Sequence, residues 1–101
     1  MAQFDVFRNT DAASKTRVPY LLDIQNDLLG TLSSRVVIPL MQDMRPLTHL
    51  NPAVELNGET FYLSTAEMAG VPVAVLGERV GSLEEERQKV LGAVDFLATG
   101  F

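Results

Sequence analysis
Alternation of apolar and polar positions dominates the first two thirds of the chain. From Gln3 to Arg8 the odd and even positions separate, with Phe4 and Val6 on one side, and this predicts a strand. Asn9 to Thr16 is small and polar and predicts a loop. Val18 to Gln25 alternates again, placing Val18, Tyr20, Leu22 and Ile24 on one face, with Pro19 tolerable at the strand's beginning. Asn26 to Gly30 then closes a turn that carries two adjacent leucines, Leu28 and Leu29. Arg35 to Met41 is rich in β-branched residues, and Pro39 points to an edge or a bulge. Gln42 to Pro52 has no period and predicts a long connection.

The pair Asn57-Gly58 is the best hairpin signal, because both central positions of a type I′ turn need positive φ. It joins strands predicted over Ala53 to Leu56 and Thr60 to Thr65. Thr65 to Gly70 has room for one helical turn, and Val71 to Val75 reads as a short strand interrupted by Pro72. Gly77 and Gly81 mark a turn region. The period then changes to 3.6. Ser82 is placed to cap a helix that runs to Phe101, with Glu85 three residues on completing a capping box. Glu84, Glu85 and Glu86 suit the positive end of the helix dipole. Leu83, Val90, Leu91, Val94, Leu97 and Ala98 form the predicted apolar stripe, and Gly100 is a natural stop. Strands first and one terminal helix last predict a mainly β fold, a small antiparallel sheet or barrel packed against that helix.

Composition narrows the classes. A chain of 101 residues with 47% hydrophobic content predicts one domain over residues 1–101 with a real core. No apolar run approaches the roughly 18 residues of a membrane span, and Met1 to Asp5 lacks the basic and apolar parts of a signal peptide. A cytoplasmic protein is expected. A net charge of −5 argues against a global grip on phosphates and for a protein partner. Without cysteine, and with His49 as the single histidine, neither a metal site nor thiol chemistry is expected, and no cofactor is implied. His49 has no motif linking it to Ser64 or Thr65, and Asp23 and Asp27, which flank a turn, are as well explained by capping as by acid–base work.

The ordered pieces resemble the CcdB family of toxins from bacterial toxin–antitoxin modules. Gln3-Phe4-Asp5-Val6-Phe7 stands at the start. Leu22-Asp23-Ile24-Gln25-Asn26-Asp27-Leu28-Leu29 is similar to the family's Val-Asp-Val-Gln-Ser-Asp-Ile-Ile, and Arg35-Val36-Val37-Ile38-Pro39-Leu40 to its Arg-Met-Val-Ile-Pro-Leu. Thr65-Ala66-Glu67-Met68-Ala69-Gly70-Val71-Pro72-Val73 is similar to Thr-Thr-Asp-Met-Ala-Ser-Val-Pro-Val, and Gly100-Phe101 stands where the family ends in Gly-Ile.

The resemblance implies an SH3-like antiparallel β-barrel of the CcdB/MazF/Kid kind with a carboxy-terminal helix, in a homodimer. It implies a toxin that acts by binding rather than by catalysis, trapping the A subunit of DNA gyrase on cleaved DNA. A CcdA-like antitoxin with an acidic tail would neutralise it, and DNA would be reached only through that antitoxin. Carried over, the gyrase-binding positions are Leu28, Leu29, Asp95, Thr99, Gly100 and Phe101. Thr99 stands where the family has tryptophan, which predicts altered or reduced potency, because tryptophan anchors carry much of an interface's energy. Arg8, Arg45, Leu47, His49 and Leu50 are the expected antitoxin contacts. A non-toxic homologue that keeps the fold and the antitoxin is the first alternative. A MazF/Kid-like endoribonuclease is the second, disfavoured by the acidic charge and the lone histidine.

Overall fold
A computed structural model describes residues 1–29, 32–45 and 49–100, with only the main chain of Leu29. Among the described residues, seven strands form one antiparallel sheet. They are β1 (Asp5–Asn9), β2 (Tyr20–Asp23), β3 (Ser34–Met41), β4 (Ala53–Leu56), β5 (Glu59–Leu63), β6 (Ala69–Pro72) and β7 (Leu76–Ser82). An α-helix, α1 (Arg87–Thr99), follows. The strand order is β4-β5-β3-β2-β1-β7, with β6 beside β3. The expected β fold with a terminal helix is present, as a half-barrel.

β3 organises the sheet. One edge pairs with β2 from Val37 to Leu40; the other is shared, with β6 along residues 34–37 and β5 at Leu40 and Met41. Pro39 therefore lies in a central strand, not at the edge its sequence suggested. Its carbonyl accepts the Ser64 N–H, so the position of its missing N–H faces the break between β5 and β6. A proline there removes no ladder bond.

The curled sheet closes through side chains. β4 and β7 do not pair, yet Asn57 Nδ2 donates to the Val80 carbonyl at 2.9 Å. From the helix side, Lys89 Nζ donates to the Ala53 carbonyl and Glu86 Oε2 accepts the Glu55 N–H. These bonds satisfy edge groups that another strand would otherwise take. The concave side holds the main core, in which Phe4, Val6, Leu22, Ile38, Val54, Phe61, Leu83 and Val90 meet. A second cluster on the other side contains Phe7, Val18, Leu21, Val37, Met41 and Leu76. Tyr20 and Ile24 share the main core with Leu22, but Val18 precedes the strand and joins the second cluster.

The hairpin at Asn57-Gly58 forms as its sequence predicts, with φ of 52° and 83°. Phe4 also has positive φ, 73°, and lies just before β1. Its N–H donates to the Asp23 carbonyl and its carbonyl accepts the Leu83 N–H, so two neighbouring segments hold this unfavourable conformation.

Further expectations need correction. Leu76 to Ser82 is a strand, hidden in the sequence by two glycines and two charged residues, and sheet pairing with β1 outweighs local propensity. Val71 to Val75 divides, with β6 ending at Pro72 and a 3-10 turn occupying Val73–Val75. The helix begins at Arg87, after a 3-10 turn over Glu84–Glu86. Ser82 ends β7, and its hydroxyl accepts from the Glu84 N–H, two residues on rather than three. On α1, Val90 and Ala93 are buried and Leu91 and Val94 half-buried, whereas Leu97 and Ala98, in the last turn, are exposed. The predicted helical turn after Ser64 is a 3-10 turn over Thr65–Glu67.

Candidate interaction surface
The turn after β2 is built from short side-chain-to-backbone bonds. Asp23 Oδ1 accepts the Gln25 N–H at 3.0 Å, and Asn26 Oδ1 accepts the Leu28 N–H at 2.8 Å. Asp27 Oδ1 accepts the Gln3 N–H at 2.7 Å, tying the turn to the amino-terminal segment. Carboxylates and amides of this kind stabilise turns by replacing backbone partners. The 3-10 turn Asp27–Leu29 then presents Leu28, which is 90% exposed. Leu32, 51% exposed, follows on the same connection. A single exposed leucine is common on a folded protein; apolar side chains that converge into a patch mark a partner surface.

Beneath the turn lies an ion pair that sequence reasoning did not find. Arg35 Nε and Nη2 stand 2.8 and 2.7 Å from Asp23 Oδ2, with side-chain exposures of 2% and 0%. Asp23 is opposite Val37 in the β2–β3 ladder, so Arg35 is its diagonal neighbour on the same face. A separation of 12 residues hides this until register is known. The two carboxylates flanking the turn both have structural partners: Asp23 binds Arg35 and the Gln25 N–H, and Asp27 accepts the Gln3 N–H.

The other expected surface is the helix end. Asp95, Thr99 and Gly100 are all exposed. The Thr99 hydroxyl donates to the Asp95 carbonyl at 2.7 Å. Gly100, with φ of 77°, closes the helix by donating its N–H to the Phe96 carbonyl at 2.8 Å. That left-handed conformation suits glycine. Phe101 and Leu47 lie outside the described residues, as does the side chain of Leu29.

Among the expected antitoxin contacts, Arg8 pairs with Glu78 at 2.9 Å and sits over the Tyr20 ring. The hydrogen bond with Glu78 is the main reason its pKa is raised. Arg45 is exposed and Leu50 half-buried. His49, in the connection before β4, lies with its ring centroid 5.4 Å from that of Phe96 on α1. A cleft lined by His49, Pro52, Lys89, Gly92 and Phe96 runs between them. The histidine thus packs on the helix.

Residues 3–100, nearly the whole chain, fit the model of the CcdB protein family. The chain belongs to the CcdB family. It is therefore a toxin of a toxin–antitoxin module, from a family whose members act as gyrase poisons and not as enzymes in their own right. A solved endoribonuclease from a mycobacterial species is similar in fold, with a TM-score of 0.77 and 16% identity across 100% of this chain and 92% of that one. At that identity the likeness describes the fold shared by this CcdB-family chain and the ribonuclease. No helix among the described residues is long and apolar enough to cross a membrane.

Proposed function
We propose that this CcdB-family toxin acts by binding the A subunit of DNA gyrase and trapping its complex with cleaved DNA. The observation that carries the reading is Leu28, an almost fully exposed leucine on a hydrogen-bonded turn, at the position where the family has an apolar gyrase contact. Leu29, Asp95, Thr99, Gly100 and Phe101 complete the proposed contact. The active species is a homodimer. A CcdA-like antitoxin with an acidic tail neutralises it through Arg8, Arg45, Leu47, His49 and Leu50, and brings it to DNA. Thr99 offers no ring for stacking, so potency differs from that of tryptophan-bearing members. Arrest by binding also suits the electrostatics, since a net charge of −5 disfavours a general grip on nucleic-acid phosphates.

Induction in cells tests this reading, with growth, SOS response and gyrase-linked DNA breaks as readouts. Arrest with breaks supports it. Arrest with RNA degradation and no breaks would replace it with the ribonuclease reading. Normal growth with antitoxin binding intact would identify a non-toxic homologue.

A further inference from the structure
The Asp23–Arg35 pair is buried, and the proposed binding contact does not include it. Removing two charges from water costs free energy that their attraction only partly returns, so such a pair is a weak source of stability. Its geometry suggests another purpose. Asp23 Oδ2 holds Arg35, while Oδ1 accepts the Gln25 N–H. Arg35 Nη2 reaches the Gln25 carbonyl at 3.5 Å, and Gln25 Oε1 accepts the Val36 N–H at 3.1 Å. The N–H, the carbonyl and the side chain of Gln25 are thus all fixed to the β2–β3 ladder, three residues before Leu28.

We infer that Asp23, Arg35 and Gln25 are positioning residues that hold the Leu28 turn in its binding conformation. This rests on the reading of Leu28 as a gyrase contact. A loop ordered before binding does not spend free energy on ordering during it, so the gain appears as affinity. The pair acts through the turn's main chain and meets no partner itself.

The double variant Asp23→Leu/Arg35→Met removes both charges together and leaves neither buried alone. It is expected to fold with a near-parental Tm and to bind purified gyrase A subunit about tenfold more weakly, or worse. Leu28→Ala, in the parent and in this background, supplies the decisive comparison. If the pair acts through Leu28, the two losses are not additive, and Leu28→Ala costs little once the pair is gone. Additive losses, or unchanged affinity in the double variant, would overturn the inference. Unchanged affinity for Leu28→Ala in the parent would instead overturn the gyrase reading beneath it. Should the double variant fail to fold, Gln25→Met keeps the ion pair and removes the bond to Val36. A severalfold loss of affinity at parental Tm, again non-additive with Leu28→Ala, then supports positioning, and no loss refutes it.

Discussion
Gly81 on β7 faces Leu56 on β4 across the β4–β7 seam of the half-barrel, which no strand ladder closes. A Cβ at position 81 would stand 2.8 Å from Leu56 Cδ1. Leu56 belongs to the main core, so the collision falls on a packed side chain. Gly81→Ala is therefore expected to destabilise by about 1–2 kcal/mol, within the range for overpacking. In a domain of this size that lowers Tm by roughly 4–16 °C. Combining it with Leu56→Val should recover part of the loss, and thermal melts of the three variants check it. Additive losses in the double variant would show that Leu56 is not the obstacle.

The same seam depends on Asn57. Its backbone needs positive φ, and its amide donates to the Val80 carbonyl. Substitution separates the two roles. Asn57→Gly keeps the turn and loses the bond, at a cost of about 0.5–1.5 kcal/mol. Asn57→Ala loses the bond and also strains the turn, adding about 1 kcal/mol or more. Denaturant titration should place glycine between parent and alanine. A glycine variant as unstable as alanine would show that the cross-seam bond, not the turn, carries the effect.

Arg35 provides the sharpest stability contrast. Arg35→Met alone leaves the Asp23 carboxylate buried without its cation, a situation that costs about 3–5 kcal/mol. Against a typical total of about 5–15 kcal/mol, that severely weakens the fold. Adding Asp23→Leu should restore most of it. The two unfolding curves decide, and a double variant no more stable than Arg35→Met would contradict the account.

These cases show what the sequence conveys and what it conceals. The alternation around Leu22 and the pair Asn57-Gly58 are local signals, and both produce the elements they predict. β7 is concealed because Gly77, Glu78, Arg79 and Gly81 lack strand propensity, and its stability comes from β1 across the sheet. The helix start is also misplaced. Ser82 and Glu85 fit a capping box, yet the Ser82 hydroxyl accepts from the Glu84 N–H, and a 3-10 turn over Glu84–Glu86 delays the α-helix to Arg87. At the candidate surface, exposure of Leu28 follows from its place in a tight turn. The Asp23–Arg35 pair beneath it requires knowledge of strand register, and the approach of His49 to Phe96 requires the path of an irregular connection. Pattern reveals local chemistry; it does not reveal which distant residues meet.

The helix cap links stability to the proposed activity and allows them to be separated. Gly100 adopts φ of 77° and bonds to the Phe96 carbonyl at the exposed end of α1. A Cβ there meets no atom within 4 Å, so Gly100→Ala creates no collision and acts through backbone conformation alone. The expected cost is about 1 kcal/mol. It falls on the last turn, where Leu97 and Ala98 are already exposed and little of the core is at stake. Global Tm should therefore change by only a few degrees, while the end of the helix loosens and Thr99 loses its fixed direction. If this end contacts gyrase, affinity for the A subunit falls by a larger factor than global stability does. Calorimetry with titration against gyrase measures both. Parental affinity with a frayed last turn, seen as faster amide exchange at residues 97–100, would remove the helix end from the binding surface and leave Leu28 to carry it.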